Sequence, residues 1–207
     1  MFAKTAGVRA RLYRASRVRP QARQCLPFHG LNQMRSVPCH LQRRPAIISS
    51  TIMQTIQIEP IGRVVSEIRE QRDEHWGNIT ADIRLDESRF DASALEGLQE
   101  FSHVEVLFYF NRVAEDSVVM GTRHPRENPN WPKVGIFAQR GRKRPNRIGA
   151  TICEIVGIEG RSVRVRGLDA LDGSPVIDIK PVIAEFLPEK KTVRQPRWSR
   201  ELMSTYF

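Results

Sequence analysis

Cysteine is scarce in this chain of 207 residues: Cys25, Cys39 and Cys153, with no CxxC spacing and no paired histidines nearby. That set argues against a disulfide framework and a zinc site, and it suits a reducing, cytosol-like compartment. No apolar run approaches the roughly 18 residues that span a bilayer, so no transmembrane helix is expected. Neither G-x-G-x-x-G nor G-x-x-x-x-G-K-[ST] occurs, and the usual nucleotide-binding folds receive no support. Asp and Glu are absent from residues 1–52, which hold Lys4 and nine arginines (9, 11, 14, 17, 19, 23, 35, 43 and 44). The formal charge of +10 therefore belongs entirely to that stretch. Residues 53–207 are neutral overall.

Residues 1–52 also show no sustained apolar period, and they read as a disordered basic extension outside the fold. Their composition is that of an organelle transit segment, or else translation naturally begins at Met53. The fold is expected over 53–207. Within it, Ile56, Ile58, Ile61, Val64 and Val65 suggest a strand broken near Pro60, and 67–75 is a charged loop or short helix. Ile79 to Leu85 and His103 to Phe110 alternate as half-buried strands. Asp91 to Leu98 suggests one or two helical turns, and Trp198 to Tyr206 a helix. Val134 to Ala138, Ile148 to Ile158, Ser162 to Leu168 and Val176 to Ile179 complete the strands, with turns at Gly157–Gly160 and Asp172-Gly173. Short, evenly spaced strands with little helix predict a mainly β fold: a small closed or nearly closed, antiparallel-rich β-barrel with one or two short helices.

Three groups of residues invite chemistry. Gly135 to Gly149 opens as an apolar run, breaks at Gly141, and holds five cations between Arg140 and Arg147 with no acid among them. Pro145 bars regular structure there, so this is a stiff cationic loop: a phosphate cradle, or a solvated turn. Around a second turn stand Asp169, Asp172 and Asp178. Carboxylates so placed suit a ribose diol, a cationic ligand or a metal, or Asp172-Gly173 simply forms the turn with Asp169 as its cap. Asp178, inside a strand, needs a partner such as Lys180 or an arginine of the basic loop. The third group is His103, Asn111-Arg112 and His124-Pro125-Arg126, with Trp76 and Trp131 in loops, where an aromatic either stacks on a base or covers the core.

Phe101-Ser102-His103-Val104 is followed by Gly135-Ile136-Phe137-Ala138-Gln139-Arg140 with Arg144-Pro145-Asn146-Arg147-Ile148-Gly149. Then come Leu168-Asp169 and Asp172-Gly173-Ser174-Pro175-Val176-Ile177-Asp178-Ile179-Lys180-Pro181. In that order these blocks closely resemble the TsaA-like (TrmO) family of tRNA methyltransferases, over about residues 56–187. The resemblance implies a β-barrel enzyme that uses S-adenosylmethionine, acts as a homodimer, and methylates N6 of threonylcarbamoyladenosine beside the tRNA anticodon. By matching motif positions it implies cofactor contacts at Asn111, Arg112, Arg140, Ile152, Asp169, Ala170, Leu171 and Asp172. Arg142, Lys143, Arg144 and Arg147 are then the candidates for RNA phosphates. The expected location is cytoplasmic, or mitochondrial if residues 1–52 are a transit segment; neither metal nor membrane is expected.

The chain departs from better-known members at Asn111-Arg112, where they have a His-Gln pair, and in the more basic Gly141-Arg142-Lys143. Asp73 to Gly77 is shorter and does not align. No catalytic side chain is named: methyl transfer from a sulfonium requires in-line placement rather than a nucleophile, and no activated Cys or Ser–His pairing stands out. A non-catalytic RNA-binding barrel and a methyltransferase for another acceptor remain as alternatives.

Overall fold

Alternating residues give a strand one dry face, and strands so patterned must close those faces on one another. The computed structural model describes residues 55–207. The expected basic extension and the start at Met53 lie outside the described residues. The strands are β1 (Gly62–Val65), β2 (Thr80–Leu85), β3 (His103–Tyr109), β4 (Thr122–Arg123), β5 (Val134–Gly135), β6 (Ile148–Glu159), β7 (Ser162–Arg166) and β8 (Pro175–Pro181). Six of them form a closed antiparallel barrel in the order β1-β2-β7-β6-β3-β8, with β8 paired back to β1. β4 and β5 pair separately as a two-stranded ribbon.

The barrel is filled by inward side chains: Val64, Ala81, Ile83, Leu85, Val104, Val106, Phe108, Cys153, Val163, Val165 and Val176, closed by Leu95, Leu168 and Ala170. The register sets Phe108 opposite Gly149. A Cβ there would lie 2.4 Å from the tip of the Phe108 ring, so β3 and β6 can approach only because residue 149 has no side chain. Cys153 is fully buried, and its thiol is pushed up to about 12, first by burial and then by the charge of Asp169. It is an inert core residue.

Two expected strands are corrected. Ile56 and Ile58 are in no strand and are largely exposed. Pro60 lacks an N–H, and the ladder with β8 begins only at Ile61, whose N–H donates to the Val176 carbonyl at 2.8 Å. Val134 to Ala138 is extended only over β5; Ile136–Ala138 turns into a 3-10 helix. Burial of Ile136 drives that turn, and the Gln139 side-chain amide fastens it by donating to the carbonyls of Arg123 and Val134, each at 3.1 Å. Asp91 caps a 3-10 turn, Ala92–Leu95, by accepting from the Ser93 N–H at 2.8 Å. A second turn spans Leu98–Glu100. The α-helix α1 covers Arg197–Met203, directly after Pro196.

Candidate functional site

At one end of the barrel a cleft of about 960 Å³ opens between the residues after β3, the basic loop, the Asp169 turn and α1. A second depression, about 790 Å³, is lined by the loop Glu67–His75 alone, with no second element converging on it. The chemistry gathers in the first.

Asp169 is its central charge. It follows buried Leu168 on the turn leaving β7 and is half-buried. The Thr151 hydroxyl donates to Oδ1, and the Tyr206 hydroxyl donates to Oδ2 at 2.5 Å. Both carboxylate oxygens are thereby fixed in direction, one from β6 and one from just beyond α1. Burial, then the negative charge of Asp169, raise the Tyr206 phenol far above its ordinary range, so it remains a donor. Trp76 forms part of the wall; only 3% of it is exposed, and its buried indole N–H has no hydrogen-bond partner among the described residues.

The other expected site residues divide sharply. Asn111, Arg112, Arg140 and Leu171 line the cleft with Asp169. Arg112 donates to the carbonyl of Arg69 and, at 2.8 Å, to that of Asp172, joining two loops across the rim. Arg140 donates to the Ala150 carbonyl. Ala170 is buried in the core. Asp172 lies outside the lining, where its carboxylate accepts from the Ser66 N–H at 3.1 Å. Neither Asp169 nor Asp172 acts as the local cap: the turn is closed by Ser174 N–H to the Leu171 carbonyl at 3.0 Å, with Gly173 at φ 77°. Ile152 is 44% exposed on the outer face of β6. With Thr151 pointing inward, period-two alternation must turn Ile152 away from the cleft.

The basic loop is braced from within. Arg142 pairs with Asp73 at 3.6 Å and Lys143 with Glu127 at 3.0 Å; both cations line the cleft. The hydrogen bond from Lys143 is the main reason the Glu127 carboxyl lies below its usual range. Arg144 donates to the Gln139 carbonyl at 3.1 Å. Arg147 donates to the Val113 carbonyl at 2.8 Å, pairs with Glu115 at 3.1 Å and lies over the Tyr109 ring. Neither lines the cleft. Asp178 has the expected partner, Lys180 Nζ at 2.5 Å, elsewhere on β8. His103 meets only the Ser102 hydroxyl at 2.8 Å, and His124 Nδ1 faces the Trp131 carbonyl at 2.7 Å. Trp131 donates to Glu201 at 3.1 Å and supports α1 from outside. Among the described residues no group of three or more His, Cys, Asp or Glu stands as metal ligands would.

Sequence reasoning assigned no role to Tyr206, Trp198, Leu202 or Arg126, all in the lining. Trp198, Leu202 and Tyr206 recur at intervals of four, the spacing of one helical face, and that stripe was the available signal. Arg126 gave none. It and Glu127 hold left-handed φ values of 47° and 58°, a costly conformation for non-glycine residues. Contacts of the Arg126 guanidinium with the Asp73 carbonyl, with Glu74 at 3.6 Å and with the Tyr206 ring offset that cost.

A family model described as the tRNA-methyltransferase O N-terminal domain matches residues 67–186, well over half of the chain. The chain belongs to this family. Among curated relatives, an S-adenosyl-L-methionine-binding protein of Archaeoglobus fulgidus is 34% identical over 140 residues, covering 67% of this chain and 94% of that protein. The human tRNA (adenine(37)-N6)-methyltransferase is 41% identical over 93 residues, 45% of this chain and 21% of its own length. The mouse enzyme is likewise matched over 21% of its length, so the chain spans about a fifth of these larger relatives. A crystal structure of TrmO from Pseudomonas aeruginosa superposes with a TM-score of 0.57 at 27% identity, over 70% of this chain and 62% of that one. The barrel is the fold of that family. Residues 187–207, which supply α1 and Tyr206, lie beyond the family match.

Proposed function

We propose that this chain is an S-adenosylmethionine-dependent methyltransferase acting on N6 of the threonylcarbamoyladenosine beside the tRNA anticodon. The observation that carries the reading is Asp169: a half-buried carboxylate, fixed by two hydroxyls, in a cleft that also presents Trp76, Phe110, Trp198 and Tyr206. Carboxylate oxygens suit ribose hydroxyls or a positive centre, and aromatic faces suit a purine and a cation. The unpartnered indole N–H of Trp76 is a donor left for an acceptor that a ligand brings. These residues fit the cofactor. When bound, S-adenosylmethionine supplies a methyl group activated by its sulfonium.

The chain's own part is to bind, orient and exclude water, and proximity of that kind is worth roughly 7–11 kcal/mol. Asn111, Arg112, Arg140 and Leu171 form the walls beside Asp169, while Ala170 and Asp172 hold the turn that presents it. Arg142 and Lys143 exchange their surface carboxylates for RNA phosphates. Arg144 and Arg147 give the loop its shape. Full-length protein is expected to bind radiolabelled S-adenosylmethionine and pass label to tRNA lacking the methyl group, detected as the methylated nucleoside by mass spectrometry. No cofactor binding at millimolar concentration would sink the proposal. Binding of tRNA without transfer would favour a non-catalytic RNA-binding barrel.

We also assign a homodimer. Its support is the outer face of β6, where Ile152 and Val156 are exposed at 44% and 42%, beside half-buried Ala150 and the Leu107 paired with it. Exposed apolar side chains on a strand's outer face, here interrupted by Glu154 in its pair with Arg166 at 2.8 Å, suit self-association, and they give Ile152 a role away from the cleft wall. Sedimentation should give a dimer for the wild type and a monomer for Ile152→Arg. The cytoplasm is the proposed compartment, consistent with the reduced, inert Cys153.

A further inference from the structure

The cleft is not completed by the barrel. Its remaining wall is α1 and the residues after it, which lie beyond the family match. This segment is fastened to the loop at His75 to Gly77, within the family match. The His75 N–H donates to the Thr205 carbonyl at 2.8 Å, and the Trp76 N–H to the Tyr206 carbonyl at 2.7 Å. Gly77 lies directly against the chain here: a Cβ at 77 would stand 2.6 Å from a main-chain carbon of Phe207. The Tyr206 ring is flanked by the Arg126 guanidinium, 5.6 Å away, and packs edge-on against Phe207 at 4.9 Å. Its hydroxyl has one partner among the described residues, Asp169 Oδ2.

We infer that Tyr206 is a positioning residue for Asp169, and that the segment following the barrel is an integral wall of the cofactor site. A carboxylate beside a large cleft has several rotamers open to it, and one hydrogen bond from Thr151 leaves the other oxygen undirected. The Tyr206 hydroxyl fixes that second oxygen, so the remaining lone pairs face the cleft in one direction. The phenol is a donor at physiological pH, as any tyrosine is, and burial beside the carboxylate pushes its titration still higher. Arg126 and the two main-chain hydrogen bonds from 75 and 76 hold the ring in place.

The inference rests on the proposed cofactor, and calorimetry with S-adenosylmethionine on the full-length protein tests it without requiring turnover. Tyr206→Phe should keep the circular-dichroism spectrum and weaken cofactor binding about tenfold, the order expected for loss of one charge-assisted hydrogen bond. Gly77→Ala, which removes no cleft atom, should weaken it similarly by displacing the segment. The distinguishing readout is coupling: combined with Asp169→Asn, Tyr206→Phe should add less than twofold, because its effect passes through that carboxylate. Wild-type binding with an unchanged Kd in Tyr206→Phe overturns this inference alone. Additive losses in the double variant overturn it too, since a merely structural role gives additivity. A wild type that does not bind the cofactor overturns both this inference and the function it rests on.

Discussion

Asp169→Asn is expected to weaken S-adenosylmethionine binding by about a hundredfold, the scale on which losing one member of a desolvated charge interaction acts. The substitution keeps the shape of the side chain. Thr151 and Tyr206 are hydroxyls, able to accept as well as donate, so either can turn to satisfy the new amide and the turn should remain folded. What disappears is the negative charge and one acceptor facing the cleft. Isothermal calorimetry reads the change directly, and a loss below threefold would remove Asp169 from the site. The same substitution at Asp172 should act less on affinity. Its carboxylate faces the Ser66 N–H and the exposed Arg69 outside the cleft lining, so its effect falls on the loop rather than on the ligand.

That contrast marks how far the sequence could be read. Asp169 and Asp172 stand three apart in one motif, and nothing in the spacing separates the carboxylate that enters the cleft from the one that ties a neighbouring loop. The difference arises from contacts distant in sequence: Thr151 and Tyr206 on one, Ser66 on the other. The barrel itself was legible, because Val104, Val106 and Phe108, or Val163 and Val165, must share a dry face whatever lies opposite. Ile136 misled for a related reason. Its burial in the ribbon region comes from a 3-10 turn fastened by the Gln139 amide, and an apolar run of five residues reads the same either way.

Basic-loop composition was similarly ambiguous. Five cations without an acid look like an open anion site, yet Asp73, Glu115 and Glu127 arrive from other segments to meet three of them. Local charge counting cannot register acids that tertiary structure brings in. For the proposed function the consequence is that phosphates would compete with carboxylates already present at Arg142 and Lys143, so these contacts would select for a polyanion that engages both together. Such exposed pairs are individually weak, which makes the exchange feasible.

The largest stability effect is expected where the loop returns to the barrel. Gly149→Ala places a methyl group 2.4 Å from the Phe108 ring tip and 2.7 Å from the two carbons flanking it, inside the distance that real side chains tolerate. The ring has nowhere to retreat. It is fully buried, and it meets Phe110 edge-on at 5.0 Å. Overpacking of this kind costs about 3 kcal/mol, at the upper end for core insertions. For a domain of this size that corresponds to a melting-point drop of roughly 6–12 °C. Scanning calorimetry of Gly149→Ala measures it, and a shift under 2 °C would contradict the register that sets Phe108 over Gly149. Phe108→Leu supplies the control. Alone it leaves a cavity and destabilises, but in the Gly149→Ala background the smaller side chain makes room for the methyl, so the two losses should sum to less than their separate values. Because Gly149 ends the basic loop and Phe110 lines the cleft, the paired substitution should also recover cofactor affinity that Gly149→Ala loses. Recovery of stability without recovery of binding would show that the core contact and the cleft wall are independent.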